Sequence, residues 1–202
     1  MRKLVLALAI LANLELHAVE DVSNDHCGLN KESQQLALMI IKDENQQRNK
    51  LVCNRLLAQA AAEKARLMKE RGMVAHNLGG SPNNWLSDRG YELPDYYGAA
   101  FSNQVEAVAG GYTTAAAVWR GFKNSKAHRE HLLGELPFYQ EQDEIGVGFV
   151  QDYKSPHDEY WVVYVAKGAV AGQRNPFAGE KLPNKGDIIM VNMESTSAEL
   201  EK

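Results

Sequence analysis

Two periodicities divide the chain. From Asn30 to about residue 133, apolar residues recur every three or four positions. Between residues 144 and 166 they crowd into two short runs separated by turn residues. The first pattern predicts helices and the second predicts strands. Asn30 is placed to cap a helix that runs to about Asn45, its turns marked by Leu36, Met39, Ile40 and Asp43. A second helix is predicted from Asn49 or Leu51 to Arg71. Leu57, Ala61, Ala65 and Met68 share its apolar face, Gly72 is placed to end it, and the alanines permit close approach of another element. Thr113 or Thr114 can cap a third helix through about Asn124, and Ser125 starts a further turn through Leu133.

Residues 77–104 are rich in Gly, Pro, Asn and Tyr, which is loop chemistry, with room for a short helix at Asn84–Arg89. The late runs, Glu144–Gln151 and Tyr160–Ala166, predict a hairpin turned through Ser155-Pro156. Two strands are too few for a stable sheet, and residues 98–108 are the candidate for a third. Helices followed by a late hairpin predict an α+β fold, an α/β/α sandwich with a small, mainly antiparallel sheet flanked by helices. Residues 169–202 hold Gly172, Pro176, Gly179, Pro183 and Gly186 and end in a polar run. They are expected to be irregular, with Asp187–Asn192 able to add an edge strand.

The first eighteen residues stand apart from this pattern. Arg2 and Lys3 precede the apolar stretch Leu4–Leu14, and Leu16-His17-Ala18 offers a cleavage site, so residues 1–18 read as a secretory signal peptide followed by a polar lead over 19–35. The stretch is short for a membrane span; the competing reading is an uncleaved anchor. With 202 residues, 45% hydrophobic and 24% charged, the chain is long enough for one globular domain. Its net charge of −4, without a basic block, argues against nucleic-acid binding. Cys27 and Cys53 are the only cysteines. An export signal with an even count favours a disulfide between them in a secreted or periplasmic protein, against the alternative of two buried thiols.

Candidate chemistry comes from three separate segments: His76 after the second helix, Glu106 in Val105-Glu106-Ala107-Val108-Ala109, and His128 in Ser125-Lys126-Ala127-His128-Arg129-Glu130-His131-Leu132-Leu133. Asn45-Gln46-Gln47-Arg48, Gly90-Tyr91, Ile145-Gly146-Val147-Gly148 and Tyr160-Trp161 accompany them in order. This order and spacing, from about Leu36 to Gly168, resembles the CAP superfamily (cysteine-rich secretory proteins, antigen 5 and pathogenesis-related proteins) in its compact bacterial SCP-like form. The resemblance implies a CAP domain over 36–168, with His76, Glu106 and His128 lining a cleft. The sequence departs from the family pattern in three places. Ala107 stands for the usual Asn, His131 stands where Asn is common, and Phe122 aligns with the usual Trp, with Trp119 one turn earlier. A second cleft glutamate has no motif match; Glu130, Glu135 and Glu144 are its candidates.

Two imidazoles and a carboxylate can hold a divalent metal such as Zn²⁺ and leave a place for an acidified water, or act without metal as general acid and base. No cofactor is required by the sequence, and no His-Glu-x-x-His is present. The competing reading of the same residues is a buried polar network that specifies the fold. Ser125 lacks the Gly-x-Ser-x-Gly context of a hydrolase nucleophile and reads as a helix cap. Tyr91, Tyr96, Tyr97, Phe101 and Tyr112 either pack the long loop or line a groove for lipid, glycan or peptide. The leading expectation is an exported binding or interaction module for an envelope component, a small hydrophobic ligand or a protein. The alternative is a metal-dependent hydrolase of peptide or ester bonds.

Overall fold

A computed structural model describes residues 26–98 and 101–183. The signal-peptide reading and the Asp187–Asn192 strand lie outside the described residues. The elements run α1 (Lys31–Ile41), β1 (Val52–Cys53), α2 (Arg55–Arg71), α3 (Pro82–Ser87), β2 (Glu106–Gly110), α4 (Ala115–Asn124), α5 (Lys126–Leu132), α6 (Pro137–Gln140), β3 (Glu144–Gln151) and β4 (Glu159–Ala166). The sheet order is β1-β3-β4-β2, with β1 parallel to β3 and the other pairs antiparallel. This is the expected α+β architecture in three layers.

β4 shows why the sheet must be covered on both faces. Trp161, Val163 and Val165 point to a core shared with Leu36 and Ile40 of α1, Val118 and Phe122 of α4, and Leu132 of α5. Tyr160, Val162, Tyr164 and Ala166 point to the opposite core with Leu57, Ala61, Ala65 and Met68 of α2. A strand buried on both sides reads as a continuous apolar run. On the α2 face, β3 presents Gly146 and Gly148. A Cβ on Gly146 would fall on the α2 backbone at Leu57 and Ala58, and one on Gly148 on the backbone at Ala61 and Ala62, so the helix lies directly on the strand.

Local chemistry sets most boundaries. Asn30 accepts from Ser33 N while Ser33 Oγ accepts from Asn30 N, a reciprocal cap on α1. Asn54 caps α2, and Gly72, at φ 60°, closes it. Thr114 caps α4 through Ala117 N. Ser125 stands at the cap position of α5 without a side-chain capping bond.

Three expectations shift. α1 stops at Ile41 rather than Asn45, because Asp43 accepts from Asn45 N and turns the chain. The residues after it are spent elsewhere: Arg48 donates to the carbonyls of His131 and Leu132, and Gln46 Nε2 to those of Ile40 and Leu132, clamping the end of α5. The predicted second helix loses its start to β1, since Val52 and Cys53 pair with Glu144 and Ile145. The third strand occupies 106–110 rather than 98–108.

One edge of β3 is closed by two chain segments. Val147 N donates to Cys27 O and Asn30 Nδ2 to Phe149 O, while Val52 N donates to Asp143 O and Asn54 N to Ile145 O. A Cys27–Cys53 disulfide joins the two segments. Among the described residues no helix is long and apolar enough to cross a membrane.

Candidate functional site

His76 and Glu106 meet in the interior. α2 ends at Gly72, and Met73 N bonds back to Met68 O, so the chain folds against the helix and delivers His76 four residues on. Glu106 opens β2. Asn103 Oδ1 accepts from both Val105 N and Glu106 N, which fixes the entry to the strand. The antiparallel register sets Glu106 opposite Tyr164 of β4, so the two side chains share a face.

Four groups converge there, all fully buried. Glu106 Oε1 lies 2.7 Å from His76 Nδ1. Tyr164 Oη donates to Glu106 Oε2 at 2.5 Å, and Lys64 Nζ of α2 stands 3.9 Å from the same oxygen. Lys64 also donates to the carbonyls of His76 (2.7 Å) and Leu78 (2.6 Å), so one ammonium holds the loop that carries the histidine.

The electrostatics follow from this packing. Burial alone would raise the Glu106 carboxyl, but the Lys64 charge, the His76 contact and the Tyr164 hydroxyl outweigh it and hold it below its ordinary value. Burial lowers the Lys64 ammonium, with Glu106 opposing the shift. Burial and the carboxylate together push the Tyr164 phenol well up. An ionised Glu106 accepts only, so His76 Nδ1 carries the proton and donates. The other ring nitrogen, Nε2, is buried and has no hydrogen-bond partner.

His128 lies on α5, fully buried, its ring 5.0 Å from that of Phe122. His131 is buried as well, its ring 4.9 Å from that of Tyr139, and its Nε2 lies 3.1 Å from Val165 O, tying α5 to β4. The three candidates for a second glutamate have other engagements. Glu144 accepts from Asn54 and Tyr91, Glu130 pairs with Lys126, and Glu135 pairs with Arg129. Both Glu106 oxygens are spent within the protein, and among the described residues no group of three His, Cys, Asp or Glu side chains stands together to hold a metal. The donor set therefore does not fit a three-point metal site. It matches a carboxylate that orients an imidazole.

Sequence reasoning identified His76 and Glu106 but missed Lys64, Tyr164 and Asn103. The signal for Lys64 was present: it sits four residues from both Ala60 and Met68, in line with the apolar face of its helix.

No protein-family model matches the chain, and no curated protein matches it. Among solved structures, an outer surface protein from Borrelia burgdorferi is similar, with 21% identity and a TM-score of 0.48, over 67% of this chain and 88% of that one.

Proposed function

We propose that the chain is an exported CAP-like domain of the SCP type that works as a binding or interaction module, for an envelope component, a small hydrophobic ligand or a protein. The observation that favours a binding module over a hydrolase is the closure of Glu106. Its two oxygens are engaged by His76, Tyr164 and Lys64, and all of these groups are buried. A carboxylate acting as general base needs an oxygen free to face substrate, and one acting as metal ligand needs an oxygen free to face the metal; a carboxylate held in this way specifies the packing of α2, β2 and β4 against one another. Export is supported by the signal-like residues 1–18 and by the disulfide, which persists in oxidising compartments.

The test pairs the wild-type chain with a His76→Ala/His128→Ala variant. Zn²⁺ binding is followed by calorimetry and hydrolysis is followed on generic ester and peptide substrates. The proposal expects no turnover that depends on either histidine. It also expects lipid or glycan to co-purify with both proteins, identified by mass spectrometry of the extract. Zn²⁺ bound near one equivalent, with turnover lost in the variant, would overturn it in favour of a metal-dependent hydrolase. That second reading rests on one observation, the unpartnered Nε2 of His76.

A further inference from the structure

β1 and β3 begin at the same end of the sheet and β4 ends there, because β1 runs parallel to β3 and β4 antiparallel to it. The segments around that end leave an open cleft of about 370 Å³. Lys50 and Val52 form one wall, residues 167–170 form the other, and Asp143 and Glu144 lie between them on the middle strand. The second wall is pinned to the body, since Ala169 N donates to Glu92 O. The volume falls in the range of small-molecule sites, roughly 300–1,000 Å³.

Glu144 is the fixed point of the cleft. Its Oε1 accepts from Asn54 Nδ2 at 2.9 Å and its Oε2 from Tyr91 Oη at 2.6 Å. Burial and the carboxylate push the Tyr91 phenol well up, so it keeps its proton and remains a donor. Both donors are neutral, and a carboxylate has room for about four, so its capacity is half used. Gly168 keeps the approach open. A Cβ there would rest 3.6 Å from Glu144 Oε2 and 3.8 Å from Tyr91 Oη, in contact rather than in collision. Among the described residues, Lys50, Asp143 and Glu144 have no ion-pair partner, whereas Lys167 is held by Glu141 at 3.5 Å. Two carboxylates and one idle ammonium therefore line one cleft. Val52, half-buried, and Val170, 63% exposed, supply its apolar surface.

We propose that this cleft binds a free amino acid with an apolar side chain. The ligand's ammonium donates to Glu144, beside Asp143; its carboxylate pairs with Lys50; its side chain lies against Val52 and Val170. A carboxylate already oriented by two donors selects the ammonium by direction as well as by charge. A purely anionic ligand would meet two carboxylates, and a purely cationic one would leave Lys50 unused. The cleft shares no residue with the His76–Glu106 site, so failure of either proposal leaves the other standing.

The test is calorimetry on the full chain with leucine, N-acetylleucine, which lacks the ammonium, and leucinamide, which lacks the carboxylate. Leucine should bind, and each blocked analogue should bind about 10-fold more weakly or worse, since each loses a hydrogen bond between charged groups. Two variants locate the site without threatening the fold. Lys50→Met changes an exposed side chain, and Gly168→Ala lays a methyl group over Glu144 Oε2 without a clash. Both should weaken leucine to a similar extent while the melting temperature stays at the wild-type value. No binding at millimolar leucine would overturn the proposal. So would a blocked analogue that binds as tightly as leucine, or leucine binding that both variants leave unchanged, since the ligand would then sit elsewhere.

Discussion

Replacing Lys64 by Met keeps the side-chain length on α2 and removes its charge. The carbonyls of His76 and Leu78 then lose their donor, and Glu106 keeps His76 and Tyr164 but loses its countercharge. Breaking a buried pair in this way costs ~3–5 kcal/mol. Glu106→Gln leaves the ammonium with two carbonyls and no anion, at a cost of ~3 kcal/mol on the same grounds. The two changes are not independent. Charges 3.9 Å apart attract by about 4 kcal/mol at an effective dielectric of 20, which bounds their mutual contribution. The double variant should therefore be less destabilised than the sum of the singles by ~1–3 kcal/mol. Urea unfolding at neutral pH, with unchanged m-values as the check on two-state behaviour, measures all four corners of the cycle. Additivity within ~0.5 kcal/mol would refute the reasoning. Lys64 would then act only as a clamp on the histidine loop, and Glu106 would owe its charge to hydrogen bonds alone.

Asp43 joins the end of α1 to α4 by accepting from Trp119 Nε1 and Lys123 Nζ. Burial opposes its ionisation, but the Asn45 amide and Lys123 outweigh it and hold its carboxyl below the usual 3.8. Its contribution is therefore present above that value and lost as pH falls through the lower folded one; a melting-temperature series in acid should be flatter for Asp43→Asn than for wild type. Cys27→Ser with Cys53→Ser opens a loop of sequence separation 26 and should cost ~3–4 kcal/mol in urea, an effect that reductant reproduces in the wild type. Gly148→Ala pushes a methyl group into the α2 backbone and should cost ~1–3 kcal/mol or more, whereas Gly172→Ala, which meets no neighbour but has φ 75°, should cost less in the same assay.

What the sequence disclosed was chemistry that acts over a few residues. Asn30, Thr114 and Gly72 were legible as caps because a cap needs only its own turn. β3 and β4 were legible because strands covered on both faces must be apolar throughout. β1 was illegible: two residues become a strand only by pairing with Glu144 and Ile145, far along the chain. The early end of α1 has the same origin, since Gln46 and Arg48 serve the carbonyls of a distant helix rather than their own. The need for glycine at 146 and 148 becomes visible only when α2 is seen lying on the strand. At the site, His76 and Glu106 stood out by residue type. Their partners Lys64 and Tyr164 did not stand out by type, because a lysine and a tyrosine are ordinary residues until burial makes their polar ends matter; only the place of Lys64 in line with the apolar face of α2 pointed to its burial.

The disulfide has a bearing on association as well as on stability. The segments it joins take up hydrogen-bonding groups along one side of β3, from Asp143 just before it to Ile145, Val147 and Phe149, so that this side of the strand is not bare to a neighbouring molecule. Cys27 belongs to the short stretch before α1, whose hold on β3 is a single bridge and one asparagine amide. Without the disulfide that stretch is held to β3 by these contacts alone, and the reduced chain is expected to offer the edge at Val147 and Phe149 to a second copy, which light scattering with and without reductant would show.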